Sequence, residues 1–122
     1  MTLGITLVSH SPAIPQCLAA LLKQVAANVA VTTAGGTQED ELGTSFDKIL
    51  AAFEQNPADE ILAFYNLGSA KMNLELACEM TTKTIHIYDI AFIEGAYSAT
   101  ALLQADVSLA KIEEQLAALK IK

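Results

Sequence analysis

Arginine and tryptophan are absent from these 122 residues, and all seven basic side chains are lysine. Without a guanidinium the chain lacks the bidentate clamp that many phosphatases and tight phosphate binders use. Any phosphate it handles must be held by backbone N–H groups and hydroxyls. Acids outnumber bases 14 to 7, for a formal net charge of −7. That balance argues against a nucleic-acid partner, whose phosphates need cationic contacts. An acidic surface suits a basic protein partner, or simply keeps the chain in solution. Cysteine is scarce, and Cys17 and Cys78 have no metal-type spacing, so neither a disulfide framework nor a thiolate metal site is expected. Both are expected as buried or half-buried thiols on apolar helix faces.

Several functional signatures are missing as well. No stretch approaches the ~20 apolar residues of a membrane span. The N-terminus has no basic region of the secretory kind, which leads us to expect a cytoplasmic protein without membrane association. The chain has no Gly-x-Ser-x-Gly elbow, Walker loop or dinucleotide fingerprint, and a phosphatase loop built on cysteine and arginine is excluded. A receiver-type phosphoaspartate site would want several acids at strand ends, where only Asp89 is well placed. His10 and His86 share no ligand-like spacing with acids, so no metal and no cofactor are expected.

What is present is apolar: 52% hydrophobic against 17% charged residues, enough for one core in a single domain spanning residues 1–122. Leu3 to Val8 reads as a buried strand, and Pro12 to Ala27 as a helix with Ile14, Leu18, Leu21, Leu22 and Val25 on its apolar face. Asn28 to Thr33 is a second strand, closed by Ala34-Gly35-Gly36. After an acidic loop, Thr44 or Ser45 caps a helix from Phe46 to Gln55. Glu60 to Tyr65 is a third strand, and Asn66 to Ala70 turns it into a helix reaching Met80. Thr84 to Tyr88 is the fourth strand, and helices follow over 93–103 and 107–119. Strands alternating with helices predict a doubly wound α/β fold, a mainly parallel sheet of order 2-1-3-4 with helices on both faces.

In such a sheet ligands bind beyond the carboxyl ends of the strands, where the strand order reverses. Here that is the crevice between strands 1 and 3, and the turns bearing His10 and Asn66 to Ala70 face each other across it. Gly35, Gly36, Gly43, Gly68 and Gly95 fall on that edge, with hydroxyls from Ser11, Thr44, Ser45 and Ser69 nearby. Glycine allows close backbone approach, and together these groups could cradle a phosphate without arginine. Turns and helix caps also need the same residue types. A neutral imidazole on a strand-to-helix turn can act as nucleophile or base, or can merely bond its own turn. His86, mid-strand between Ile85 and Ile87, reads as a satisfied sheet residue.

Val8-Ser9-His10-Ser11, Gly35-Gly36, Leu42-Gly43-Thr44-Ser45, Asn66-Leu67-Gly68-Ser69-Ala70 with Met72-Asn73-Glu75, and Ile93-Glu94-Gly95-Ala96 resemble the mannose-type phosphotransferase system IIA domains. Within that family the likeness is strongest to the branch serving phosphoenolpyruvate-dependent dihydroxyacetone kinases. Ordinary mannose-type IIA domains carry a Gly-Gly-Ser/Thr-Pro type of turn in place of residues 67–70. The resemblance implies that His10 accepts a phosphoryl group from the histidine-containing phosphocarrier protein and passes it to ADP on the nucleotide-binding subunit of the kinase. It implies a cradle and orienting set of Ser11, Gly35, Gly36, Thr44, Ser45, Asn66, Gly68 and Ser69, and a homodimer. A IIA component of a sugar permease and a regulatory binding module switched by phosphorylation are the alternatives. The family more commonly has an acid at the position of Asn66, whose amide can accept a hydrogen bond but supplies no charge. Because the chain ends at Lys122, fused carrier domains are not expected, and the donors are expected to be separate proteins.

Overall fold

The computed structural model describes residues 3–120, so Lys122 and the expectation tied to it lie outside the described residues. Four strands, β1 (Leu3–Ser9), β2 (Val31–Gly35), β3 (Glu60–Tyr65) and β4 (Thr84–Tyr88), form one parallel sheet in the order β2-β1-β3-β4. Between and after them run α1 (Ala13–Val25), α2 (Phe46–Gln55), α3 (Ala70–Met80), α4 (Phe92–Gln104) and α5 (Leu109–Leu116), the last ending in a 3₁₀ turn at Ala117–Leu119.

Strand periodicity divides the core in two. Ile5, Leu7, Leu62 and Phe64 point to one face, where Leu18 and Leu22 of α1, Phe92, Ala96 and Ala99 of α4, and Ile112 and Leu116 of α5 cover them. Val8, Ile61, Ala63 and Tyr65 point to the other, under Ile49, Ala52 and Phe53 of α2 and Ala70, Leu74 and Ala77 of α3. The predicted order and layering are observed. Among the described residues no helix is long and apolar enough to cross a membrane.

Four expectations need correction. The second strand runs over Val31–Gly35 rather than 28–33, because it registers against β1 from Ile5↔Val31 to Ser9↔Gly35. The Asn28 and Val29 amides belong to the turn after α1 instead, donating to Gln104 Oε1 and to the Ala26 carbonyl. On α1 only Pro15, Leu18 and Leu22 are buried, while Ile14, Leu21 and Val25 of the expected apolar face are exposed. Cys17, on the same outward side as Ile14 and Leu21, is exposed too, whereas Cys78 is half-buried as expected. The last helix is also shorter than 107–119, starting after the Ser108 cap and tightening into its 3₁₀ turn.

Candidate functional site

β1 ends at Ser9, a fully buried residue at the carboxyl edge of the sheet, and the chain turns there through His10 into α1. Three bonds fix the histidine to two segments, the β3–α3 turn and the loop before α2. Its backbone N–H donates to Asn66 Oδ1 at 3.4 Å, its carbonyl accepts from the Gly43 N–H at 2.8 Å, and its ring Nε2 lies 2.9 Å from Ser69 Oγ. The β1–α1 and β3–α3 turns therefore do face each other, as parallel topology requires. Nδ1 is enclosed, with no hydrogen-bond partner among the described residues.

The two ring nitrogens therefore differ in their surroundings. A neutral imidazole has one protonated nitrogen and one bearing a lone pair. Nε2 meets a hydroxyl that can donate to a lone pair, whereas Nδ1 is enclosed. Ser69 stands at the N-cap of α3 but makes no capping bond, which leaves its hydroxyl for the imidazole.

The other expected site residues divide into those that shape the turn and those spent elsewhere. Ser11 Oγ accepts from the Ala13 and Ile14 amides and so secures the first turn of α1. Gly35 is required by close approach: a Cβ there would overlap the Ser11 carbonyl oxygen and come within 2.9 Å of Pro12 Cα. Gly36 is left-handed at φ +76°, with Pro12 against it, so both glycines seat the His10 turn on β2 rather than opening room for a ligand. Thr44 Oγ1 accepts from Asn73 Nδ2 at 2.8 Å, which ties the loop before α2 to α3 and leaves the threonine proton to donate. Ser45 caps the helix that follows it. It is buried, and its hydroxyl caps α2 by accepting from the Lys48 amide at 3.2 Å, so for this residue helix capping outweighs a cradle role. Gly68 lies exposed in the turn with nothing within 4 Å of a would-be Cβ. His86 bonds Glu60 at 2.6 Å, as a satisfied sheet histidine should.

Asn66 answers a question of orientation. Its Oδ1 takes the His10 amide while its Nδ2 donates to Ser9 Oγ at 3.0 Å, and Ser9 Oγ in turn accepts from the Ser11 amide at 3.1 Å. A carboxylate could not donate to Ser9 in this way, so the amide serves as a two-sided clamp on the backbone of the turn. Sequence reasoning missed Ser9, whose only signal was a small polar residue ending an apolar strand. It also missed a cluster beyond β3 and β4, where the Tyr65 hydroxyl donates to Asp89, and Lys71 Nζ sits 2.9 and 3.0 Å from the two Asp89 oxygens. Burial pushes Asp89 upward, but the bonds from Tyr65 and Lys71 outweigh it and hold the carboxyl below its ordinary value.

Residues 4–113 match the family described as the PTS system fructose IIA component. The chain is 50% identical over 116 residues to the phosphotransferase subunit of the PTS-dependent dihydroxyacetone kinase of Lactococcus lactis, covering 95% of this chain and 94% of that one. It is 39% identical over 119 residues to the phosphoryl donor subunit of PEP-dependent dihydroxyacetone kinase 1 of Listeria innocua, covering 98% and 96%. A solved protein of unknown function superposes with TM-score 0.86 at 27% identity over 100% of this chain and 98% of its own. A sigma-54 interaction domain protein from Enterococcus faecalis reaches TM-score 0.69 at 11% identity over 96% and 89%, a likeness of fold alone.

Proposed function

Because the chain belongs to the PTS fructose IIA component family, and within it to the phosphotransfer subunits of PTS-dependent dihydroxyacetone kinases, we propose that His10 is its transient phosphoryl carrier. The observation that carries this reading is the exposed side of the ring: Nε2 faces Ser69 Oγ at 2.9 Å while Nδ1 is enclosed.

In the proposed step the Nε2 lone pair attacks phosphorus in line, as the N–P bond of a phosphohistidine on the histidine-containing phosphocarrier protein breaks and that imidazole leaves with the bonding pair. His10 keeps its proton on Nδ1. Ser69 turns its O–H from the nitrogen to a phosphoryl oxygen, and Thr44 offers a second donor. In the onward step the terminal oxygen of ADP, held on the nucleotide-binding subunit of the kinase, attacks the same phosphorus and Nε2 leaves. ATP forms there and His10 is restored. A carrier benefits from loose binding, since a clamp that held the group too well would trap it, and a cradle of hydroxyls without arginine meets that need. We place the relay in the cytoplasm, and in a homodimer.

Incubation with phosphoenolpyruvate, enzyme I and the phosphocarrier protein should give an acid-labile phosphoryl group that mass spectrometry maps to His10 and that His10→Ala abolishes. Adding the ADP-loaded kinase subunit should then discharge it as ATP. Label that persists in His10→Ala refutes the carrier role. Discharge to a IIB domain but not to ADP would instead assign the chain to a sugar permease.

A further inference from the structure

Asp89 makes no contact with His10 in the network described above, yet both side chains that hold the histidine are flanked by residues it holds. Tyr65, whose hydroxyl donates to Asp89, immediately precedes Asn66, which accepts from the His10 amide. Lys71, whose ammonium spans both Asp89 oxygens at 2.9 and 3.0 Å, lies in the first turn of α3 two residues after Ser69. Ser69 itself makes no side-chain cap, so its own hydroxyl does nothing to hold the start of α3. The geometry points to Asp89 as a positioning residue: through Tyr65 and Lys71 it fixes the β3–α3 turn so that Ser69 Oγ meets His10 Nε2.

The chemistry suits that task. Tyr65 is 2% exposed, so its hydroxyl has little water to turn to and needs an acceptor. One carboxylate supplies two oxygens, enough to accept from the phenol and both arms of an ammonium contact at once. Asp89 follows β4 directly, and β4 is hydrogen-bonded to β3, so the anchor sits on the sheet rather than on a loose loop. The turn it stabilises is exposed from Leu67 to Ser69 and is closed locally by two backbone bonds, Ala70 N–H to the Leu67 carbonyl at 3.0 Å and Lys71 N–H to the Gly68 carbonyl at 3.1 Å, so the Asp89 contacts tie an already formed turn to the sheet.

This role rests on the reading of His10 as the carrier, and the test separates the two. Asp89→Asn, Lys71→Met and Lys71→Arg would be made in the full chain with 15N-labelled histidine. In Asp89→Asn and Lys71→Met the two His10 ring nitrogen signals should move toward those of an exchanging pair of tautomers. Phosphoryl uptake should slow by about tenfold, the scale expected of a slightly misplaced group. Lys71→Arg should restore both, and amide exchange in β1 and β3 should change by no more than each variant's loss of global stability. Ring signals that stay put in Asp89→Asn and Lys71→Met overturn the proposal, even if the melting temperature falls, because Asp89 would then be only a structural pin. If the wild type takes no phosphoryl group but the ring signals still respond, the carrier reading fails and the positioning role stands.

Discussion

His10 has its polar atoms divided among three neighbours, with the Gly43 amide on its carbonyl. Asn66 takes the backbone N–H and Ser69 takes the ring, so the turn and the imidazole are oriented by separate bonds. Ser69 should therefore be removable with little loss of fold: it is exposed and caps nothing, and deleting its hydroxyl breaks only the link to Nε2. The expected outcome for Ser69→Ala is a melting temperature close to wild type with phosphoryl uptake slowed by about 10- to 100-fold, toward the cost of losing one preorganised donor. Stopped-quench measurement of labelled His10 checks it. An unchanged rate would mean that the hydroxyl does not follow the phosphoryl group.

At the scale of elements, the carboxyl end of β2 is what the His10 turn rests on. Gly35 closes the ladder opposite Ser9, with Ser11 and Pro12 directly over its α-carbon. A methyl there must push the turn off the strand or bend β2, so Gly35→Ala should lower stability by about 1–3 kcal/mol, the usual range for overpacking. It should also slow phosphoryl uptake, because the displaced turn carries the His10 carbonyl away from the Gly43 amide. Urea unfolding and the labelling assay measure the two effects, and a variant of wild-type stability would mean that the turn has slack. The bounds of α2, β3 and β4 were legible in the sequence because local chemistry marks them: Ser45 caps α2, and Asn56-Pro57 breaks the chain before β3. β2 was misplaced by two to three residues because its limits come from pairing with β1, which no local signal reports. The same difference separates the legible from the illegible in the site. His10 and the facing Asn66–Ala70 turn follow from parallel topology, whereas for Ser45, expected both as a cap and in a cradle, the sequence does not separate the two roles because both draw on the same hydroxyl, and the cap is observed. The Lys71–Asp89 pair joins residues 18 apart on different elements, a separation with no sequence signature.

For the whole molecule, the parallel sheet gathers the His10 and Asp89 bonds at its carboxyl edge, between two apolar layers. The acid limb of stability should therefore report on that edge. Asp89 is held below its ordinary value of 3.8, so the folded state binds its proton more weakly than the unfolded state. The stabilisation is present above pH 3.8 and is lost as the pH falls through the lower folded value. Lys71 has the opposite sign. The Asp89 bond raises it above 10.5, so its contribution is present below that pH and fades as the pH rises through the folded value. Between these limits the Lys71–Asp89 ion pair is intact. Melting temperature followed from pH 2 to 7 should fall more gently at the acid end in Asp89→Asn than in the wild type, because the variant has no carboxyl there to protonate. Its plateau near neutrality should be lower. Parallel acid limbs in the two proteins would show that Asp89 does not couple to folding, and that the Tyr65 and Lys71 bonds are made equally well by the amide.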